Sequence, residues 1–374
     1  MKVRAAVLHE MGASQPYARS KPLKIEEIEL APPGRDEILV KIGAAGLCHS
    51  DLSVINGNRP RPMPMALGHE AAGEVVELGR GVTDLEVGDR VVFVFVPSCG
   101  RCRQCASGRP ALCEPAAAAN GQGTLISGKR RIKLNGELIN HHLGVSAFAE
   151  YAVVSRLSAI KVPKDLPFEI AALFGCAVIT GVGAVVNTSK VKPGSTVAVI
   201  GLGGIGLNTV LGARLAGARK IVAIDMREDK LQLARQLGAT DAFAASDPEC
   251  VEKVKAATNG GVDYAFEMAG SVEALELAWN ITGRGGETVT AGLPNPAKRL
   301  QLPAVQLVAE ERTLRGSYLG SCVPMRDIPN FIELYRAGQL PVDRLMSNTV
   351  KLDDINEAFD RLASGETVRT VMIP

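Results

Sequence analysis

The sequence predicts an α/β protein in two parts, a β-rich segment followed by a doubly wound parallel sheet. Three observations carry that prediction. The chain has 374 residues, more than one hydrophobic core usually organises. Its first half is built of short apolar runs broken by glycine and proline, and after about residue 178 apolar strands alternate with amphipathic helices.

In the first half the strand-like runs are Ala5 to Leu8, Glu37 to Ile42, Gly73 to Leu78 and Arg90 to Val96. The second half opens with a strand from Thr196 to Gly201 and a helix from Ile205 to Ala216. A strand from Lys220 to Asp225 and a helix from Arg227 to Leu237 follow. Further along come a strand from Asp263 to Met268, a helix from Val272 to Trp279, and strands from Glu287 to Ala291 and Thr313 to Tyr318. The last part is mixed, with an amphipathic stretch at Ile328 to Arg336 and a helix at Asp353 to Ala363, ending in Val368-Arg369-Thr370-Val371. The expected division is 1–177, then 178–319, with 320–374 returning to the first domain. A cleft between domains is the default ligand site.

Composition narrows the function classes. Net charge is +2 with acids and bases interspersed, and the longest basic cluster is Lys129-Arg130-Arg131, which reads as a solvated loop; no nucleic-acid footprint is expected. Apolar runs such as Val91 to Pro97 and Ala171 to Ile179 are short, so no membrane span is expected. The beginning, Met1-Lys2-Val3-Arg4, lacks the apolar stretch of a signal peptide, and a cytoplasmic protein is the expectation. Eight cysteines in such a chain point to metal sites rather than disulfides.

Gly201-Leu202-Gly203-Gly204-Ile205-Gly206 follows the apolar strand Val197 to Ile200 and opens a helix. That context turns a weak motif into a dinucleotide-binding turn. Gly201 permits the tight turn, Gly203 lets the backbone approach a pyrophosphate, and Gly206 lets the helix pack on the strand. Backbone N–H groups of Gly204, Ile205 and Gly206 lie at the positive end of that helix. Asp225 ends the next strand, where its carboxylate can accept from the adenosine ribose and repel a 2′-phosphate, which favours NAD over NADP. Arg227 reads as an exposed residue at a helix start.

Cys99-x2-Cys102-x2-Cys105-x7-Cys113 puts four thiolates in one lobe, at about 97–115. That matches a closed tetrahedral zinc site with no open position, and so a structural role. An iron–sulfur cluster and a disulfide pair are the competing readings of the same cysteines. A second set is dispersed: Cys48, His69 and Cys176. Two thiolates and an imidazole leave one zinc position open, as catalysis requires. Cys250 and Cys322 read as packing residues, and the adjacent His141 and His142 as rings that point apart rather than chelate.

With these motifs in place, the chain resembles the zinc-containing medium-chain alcohol dehydrogenases, in the liver-type branch that includes glutathione-dependent formaldehyde dehydrogenase. The resemblance runs through Gly68-His69-Glu70, the four-cysteine lobe, Gly201 to Gly206, Gly260 to Tyr264, Ile355-Asn356-Glu357 and Val368 to Val371. It implies a GroES-like catalytic domain, a Rossmann domain, NAD, two zinc ions per chain and a homodimer or homotetramer. By position it implies Cys48, His69 and Cys176 as catalytic zinc ligands, Glu70 as an alternate ligand and Asp51 as the acceptor that orients His69. His49 and Arg369 match positions near the pyrophosphate, Asp225 and Lys230 the adenosine ribose, and Thr180 the nicotinamide face. Ser50 matches the hydroxyl that takes the alcohol proton.

The implied reaction is reversible hydride transfer from a primary alcohol to NAD, with zinc lowering the pKa of the alcohol oxygen. Many relatives end the proton relay on a histidine three residues after the serine; here that position is Ser53, and a solvent chain or His49 would substitute. Phe95 matches an apolar pocket wall, while Arg59, Ala118 and His142 depart from ethanol-type enzymes. The formaldehyde branch uses a cation in the Pro115 to Ala119 stretch to hold glutathione, and this chain has only proline and alanines there. A medium-chain or aromatic primary alcohol is therefore the expected substrate, with S-hydroxymethylglutathione the alternative. A non-enzymatic zinc protein that senses NAD is the alternative from another class.

Overall fold

The computed structural model describes residues 1–374. The chain divides into two compact units: Met1–Cys176 with Val323–Ile332 and Val342–Pro374, and Ala177–Cys322 with Glu333–Pro341.

In the first unit, strands Lys2–Leu8, Leu23–Leu30, Ile132–Leu134, Glu137–His141 and Met65–Ala66 close into a small barrel. Closure removes the exposed edges that short strands would otherwise leave. A second, seven-stranded sheet is organised around Glu37–Gly46, which pairs antiparallel with Glu70–Leu78, Tyr151–Ser155 and the C-terminal strand Arg369–Ile373. Its register aligns Gly46 with both Glu70 and Val371. Residues distant in sequence therefore meet at one end of this strand. Beneath lies one apolar core that includes Phe148 and Phe359, whose rings meet edge to face with centroids 5.9 Å apart.

The second unit is a six-stranded sheet, all parallel. Strand Thr196–Ile200 lies inside, between Lys220–Asp225 and Val262–Glu267; Asp241–Ala244 flanks the first neighbour, and Thr282–Thr290 then Thr313–Gly316 continue beyond the second. Every residue of Thr196–Ile200 is buried, as expected of a central strand covered on both faces. Strand order reverses at this strand, so its carboxyl end is where a doubly wound sheet takes its ligand.

Two segments differ from expectation. The apolar run at Ala171 to Ile179 belongs to a continuous helical stretch, Phe168–Ser189, of 22 residues, long and apolar enough to cross a membrane by composition. Its hydropathic window is 89% buried within the protein, so this is a core helix. Residues 114–148, for which the sequence suggested no helix or strand, contain the helix Glu114–Gln122 and the paired strands Ile132–Leu134 and Glu137–His141. Proline at the second helical position and Gly123 in the left-handed region bound that helix. Its alanines favour helix yet carry no periodic signal.

Candidate active site

Cys48 caps the helix His49–Ile55 immediately after the central strand of the seven-stranded sheet, and its carbonyl accepts from the N–H groups of Asp51 and Leu52. His69 leads into strand Glu70–Leu78 through Gly68, held at φ +93° where a Cβ would lie 2.4 Å from the Phe148 nitrogen. Only glycine fits that turn without displacing the chain. Cys176 sits in a π-helical turn, Phe174–Val178, a device that re-aims side chains.

These three elements bring Cys48, His69, Glu70 and Cys176 together, all buried, with their ligand atoms within 4.8 Å of one another. Asp51 Oδ1 accepts from His69 Nδ1 at 3.1 Å, while the other ring nitrogen, Nε2, is buried without a hydrogen-bond partner. A buried lone pair facing two thiols fits a Lewis acid. Cys48 is held well below the usual thiol range, chiefly by its hydrogen bond with Cys176, with His69 and Arg369 assisting against burial. Cys176 is pushed up by the same pairing and by burial. One proton is thus shared between the two thiols, and a divalent cation is what would let both ionise.

Glu70 turns to Arg369, and the two form a buried ion pair. Burial raises Glu70 to about 7 against the pull of that guanidinium. Asp51 is held well below the usual carboxylate range: burial opposes its ionisation, but its interactions with His69 and His142 outweigh that cost. Phe95 stands edge to face with His69, centroids 5.4 Å apart. Ser50 is half-buried on the helix His49–Ile55, where His49 is exposed and Ser53 donates its hydroxyl to the His49 carbonyl at 2.8 Å.

The second cluster gathers Cys99, Cys102, Cys105 and Cys113, their sulfurs within 4.8 Å of each other. An S–S edge of about 3.8 Å follows from tetrahedral Zn–S bonds, so a small contraction suffices. Backbone N–H groups already point at sulfur: Cys102 N to Cys99 Sγ at 3.3 Å and Cys99 N to Cys113 Sγ at 3.4 Å. Backbone N–H groups of Cys105 and Glu114 draw Cys102 down to about 6, while burial lifts Cys105 to about 12. Such donors stabilise sulfur in its ionised, metal-binding form.

In the second unit, Gly201 adopts φ +86° and helix Gly204–Leu215 starts after Gly203. A Cβ on Gly206 would lie 1.8 Å from the Gly201 carbonyl oxygen, so this helix can approach the strand only with glycine there. Asp225 accepts from the backbone N–H of Leu202 at 2.6 Å and of Arg227 at 3.0 Å. Beside it lies a cavity of about 240 Å³ with Ile224, Ala245 and Leu277 in its wall, a mostly apolar slot next to a carboxylate. Arg227 is tied to Asp229 by two bonds of 3.0 and 3.2 Å. Lys230 is buried on helix Glu228–Leu237, its pKa lowered by desolvation, and Thr180 is buried in helix Ile179–Gly183.

Residues 34–164 match the family model described as alcohol dehydrogenase GroES-like domain, and residues 204–337 the one described as zinc-binding dehydrogenase. The chain is 40% identical to S-(hydroxymethyl)glutathione dehydrogenase of Synechocystis sp., each covered in full, and 38% identical to alcohol dehydrogenase class-3 of Myxine glutinosa, 99% of each covered. The chain belongs to the zinc-containing medium-chain alcohol dehydrogenase family. Benzyl alcohol dehydrogenase from Acinetobacter calcoaceticus superposes with a TM-score of 0.93 at 34% identity, over 100% of this chain and 99% of that one. As a member of the family the protein is a zinc- and NAD-dependent oxidoreductase acting on small alcohols and aldehydes, built from a GroES-like and a Rossmann part.

The remaining expected residues separate. Arg59 is half-buried, and Ala118 lies on the exposed side of its helix. Two residues apart on that helix, Asn120 is buried and donates its amide to the Phe95 carbonyl at 2.7 Å. Sequence reasoning passed over Asn120; an asparagine in an alanine run was the available signal. His141 and His142 diverge: His141 Nε2 accepts from the Arg131 N–H at 3.0 Å, whereas His142 Nδ1 lies 3.1 Å from Asp51 Oδ1.

Cys48→Ala is expected to lower the zinc content from two ions per chain, one for each cysteine cluster, to one. NAD affinity, read by fluorescence titration, should stay within about twofold, because dinucleotide phosphates are held by backbone at the glycine turn. Elemental analysis that still finds two zinc ions in this variant would contradict the ligand set.

Proposed function

We propose that Cys48, His69 and Cys176 hold the catalytic zinc, with Glu70 in reserve, and that Cys99, Cys102, Cys105 and Cys113 hold a structural one. The observation that carries this reading is the buried His69 Nε2, without a hydrogen-bond partner among two thiols and a carboxylate. Zinc there supplies Lewis acidity, lowering the pKa of an alcohol oxygen or polarising a carbonyl. NAD is the hydride acceptor.

The chain's own groups do the rest. Asp51 fixes the ring and tautomer of His69. The Ser50 hydroxyl takes the proton released by the alcohol. Ser53 is committed to the His49 carbonyl, so the proton leaves by solvent or by the exposed His49. Phe95 supplies an apolar wall and the half-buried Arg59 borders the substrate region, whereas Ala118, expected there by family position, is exposed on its helix and His142 turns to Asp51. On the cofactor side, Gly201, Gly203, Gly204, Ile205 and Gly206 hold the pyrophosphate with His49 and Arg369. Asp225 and Lys230 receive the adenosine ribose, and Thr180 faces the nicotinamide. Pairing with Asp229 draws the Arg227 guanidinium away from a 2′-phosphate, which supports NAD over NADP.

The favoured substrate is a medium-chain or aromatic primary alcohol, supported by the likeness to a benzyl alcohol dehydrogenase and by the uncharged stretch Pro115 to Ala119. The names of the sequence relatives favour S-hydroxymethylglutathione as the second reading. The protein is proposed to work in the cytoplasm as a homodimer or homotetramer. Strand Thr313–Gly316 is paired on one side only and exposed along its length. Helix Ala304–Ala309 exposes Val305 and Val308 at 70% and 82%. An unpaired edge beside bare valines suits a second copy of the chain.

Three measurements check these proposals. Ser50→Ala should lower turnover about a hundredfold, the scale of a lost general base; near-normal turnover rules out the relay. In a panel of benzyl alcohol, hexanol and S-hydroxymethylglutathione, kcat/KM should be higher for the first two, and dominance of the glutathione adduct would reverse the ranking. Light scattering should give a mass of two or four chains that falls to one in Val305→Glu/Val308→Glu; a monomeric wild type would remove the oligomer proposal.

A further inference from the structure

The Asp51 carboxylate lies fully buried at the back of His69, and a second imidazole reaches it. Oδ1 accepts the His69 Nδ1–H at 3.1 Å, and the same oxygen lies 3.1 Å from Nδ1 of His142. The two rings stand edge to face, centroids 5.6 Å apart. His142 Nδ1 lies within donor distance of Oδ1 and has no other partner, and Asp51 Oδ2 has none either. A carboxylate can only accept, so the nitrogen facing it carries the proton.

The chain holds His142 in place from its backbone. Its N–H donates to Ser146 Oγ at 2.9 Å, and Ser146 donates in turn to the Ala66 carbonyl at 2.8 Å. Leu143 and Ser146 both adopt positive φ, 51° and 55°, in the tight turn that follows. A ring 1% exposed here carries a desolvation cost that phenylalanine or leucine would avoid. Packing alone does not call for an imidazole.

A carboxylate that accepts from a metal-binding histidine raises the basicity of that ligand. Two N–H donors on one oxygen divide its electron density between them. We propose that His142 is a positioning residue that, as second donor to Asp51, limits how basic Asp51 makes His69, and so leaves a metal held by His69 more Lewis acidic and more readily exchanged. The proposal rests on His69 being a zinc ligand, which the Cys48→Ala zinc count tests separately.

The sign of the effect distinguishes this role from a structural one. His142→Phe keeps the ring volume and removes the donor. Zinc release into excess chelator, in the phase that is missing from Cys48→Ala, should slow about threefold or more, a fraction of what losing a direct partner of a metal ligand does. The rising limb of the pH profile for alcohol oxidation should move to higher pH, and the His69 Nδ1–H proton resonance should move downfield. His142→Gln, which keeps an N–H donor, should stay near wild type in all three. Release from the four-cysteine lobe serves as the internal control for folding. Release that speeds up in both variants, or changes in neither, overturns the proposal, as does an unmoved His69 resonance.

Discussion

Everything in the first unit's site depends on burying several ionisable groups where water cannot screen them. Cys48, Asp51, His69, Glu70, Cys176 and Arg369 are all buried. An isolated charge in such surroundings is expensive, so each must be matched. Glu70 is matched by Arg369 and Asp51 by His69. The two thiols remain, and protein groups alone let only one of them ionise. A cation between them would allow both to ionise. The four-cysteine lobe solves the same problem differently. It is partly exposed and leans on backbone N–H groups that point at sulfur.

The second unit shows the complementary strategy, in which almost no side-chain charge is used. The carboxyl end of its central strand is made of glycines that let backbone approach backbone, beside the carboxylate of Asp225, whose two oxygens are held by N–H groups of Leu202 and Arg227. Rigid main chain suits a ligand rich in phosphate and hydroxyl groups, because N–H donors need no counter-charge of their own. The neighbouring slot is mostly apolar, with Asp225 and Glu273 as the carboxylates in its lining.

How much of this was legible in the sequence follows from the distance over which each feature is encoded. The four-cysteine lobe and Gly201 to Gly206 are local, so spacing and strand context sufficed. The alternation after residue 178 is periodic, and element types agree with the structure there, from Lys220–Asp225 to helix Val272–Ile281. The small strand Asp241–Ala244 and helix Cys250–Ala257 were passed over, since four half-buried residues and a short helix carry little pattern. The dispersed cysteines and histidine gave a weaker signal, in residue type alone, because the fold rather than local spacing brings them together. The Glu70–Arg369 pair spans 299 positions and arises because both strands meet at Gly46; nothing local announces it.

The substrate region was least legible, and the reason is geometric. A helix presents residues two apart to different sides, so Ala118 and Asn120 cannot both face inward. Family position suggested the first, whereas burial and the bond to the Phe95 carbonyl pick out the second. The same holds at His141 and His142, where one ring serves the Arg131 backbone and the other the Asp51 carboxylate. Both choices follow polar partners that lie outside the local run: the Phe95 carbonyl for Asn120, and the Arg131 N–H and the Asp51 carboxylate for the two rings. In this chain the side chains around Phe95 and His69 are thus placed by their polar partners as well as by their position in the sequence. Substitution at a partner such as Asn120 can reshape the wall without touching an alcohol.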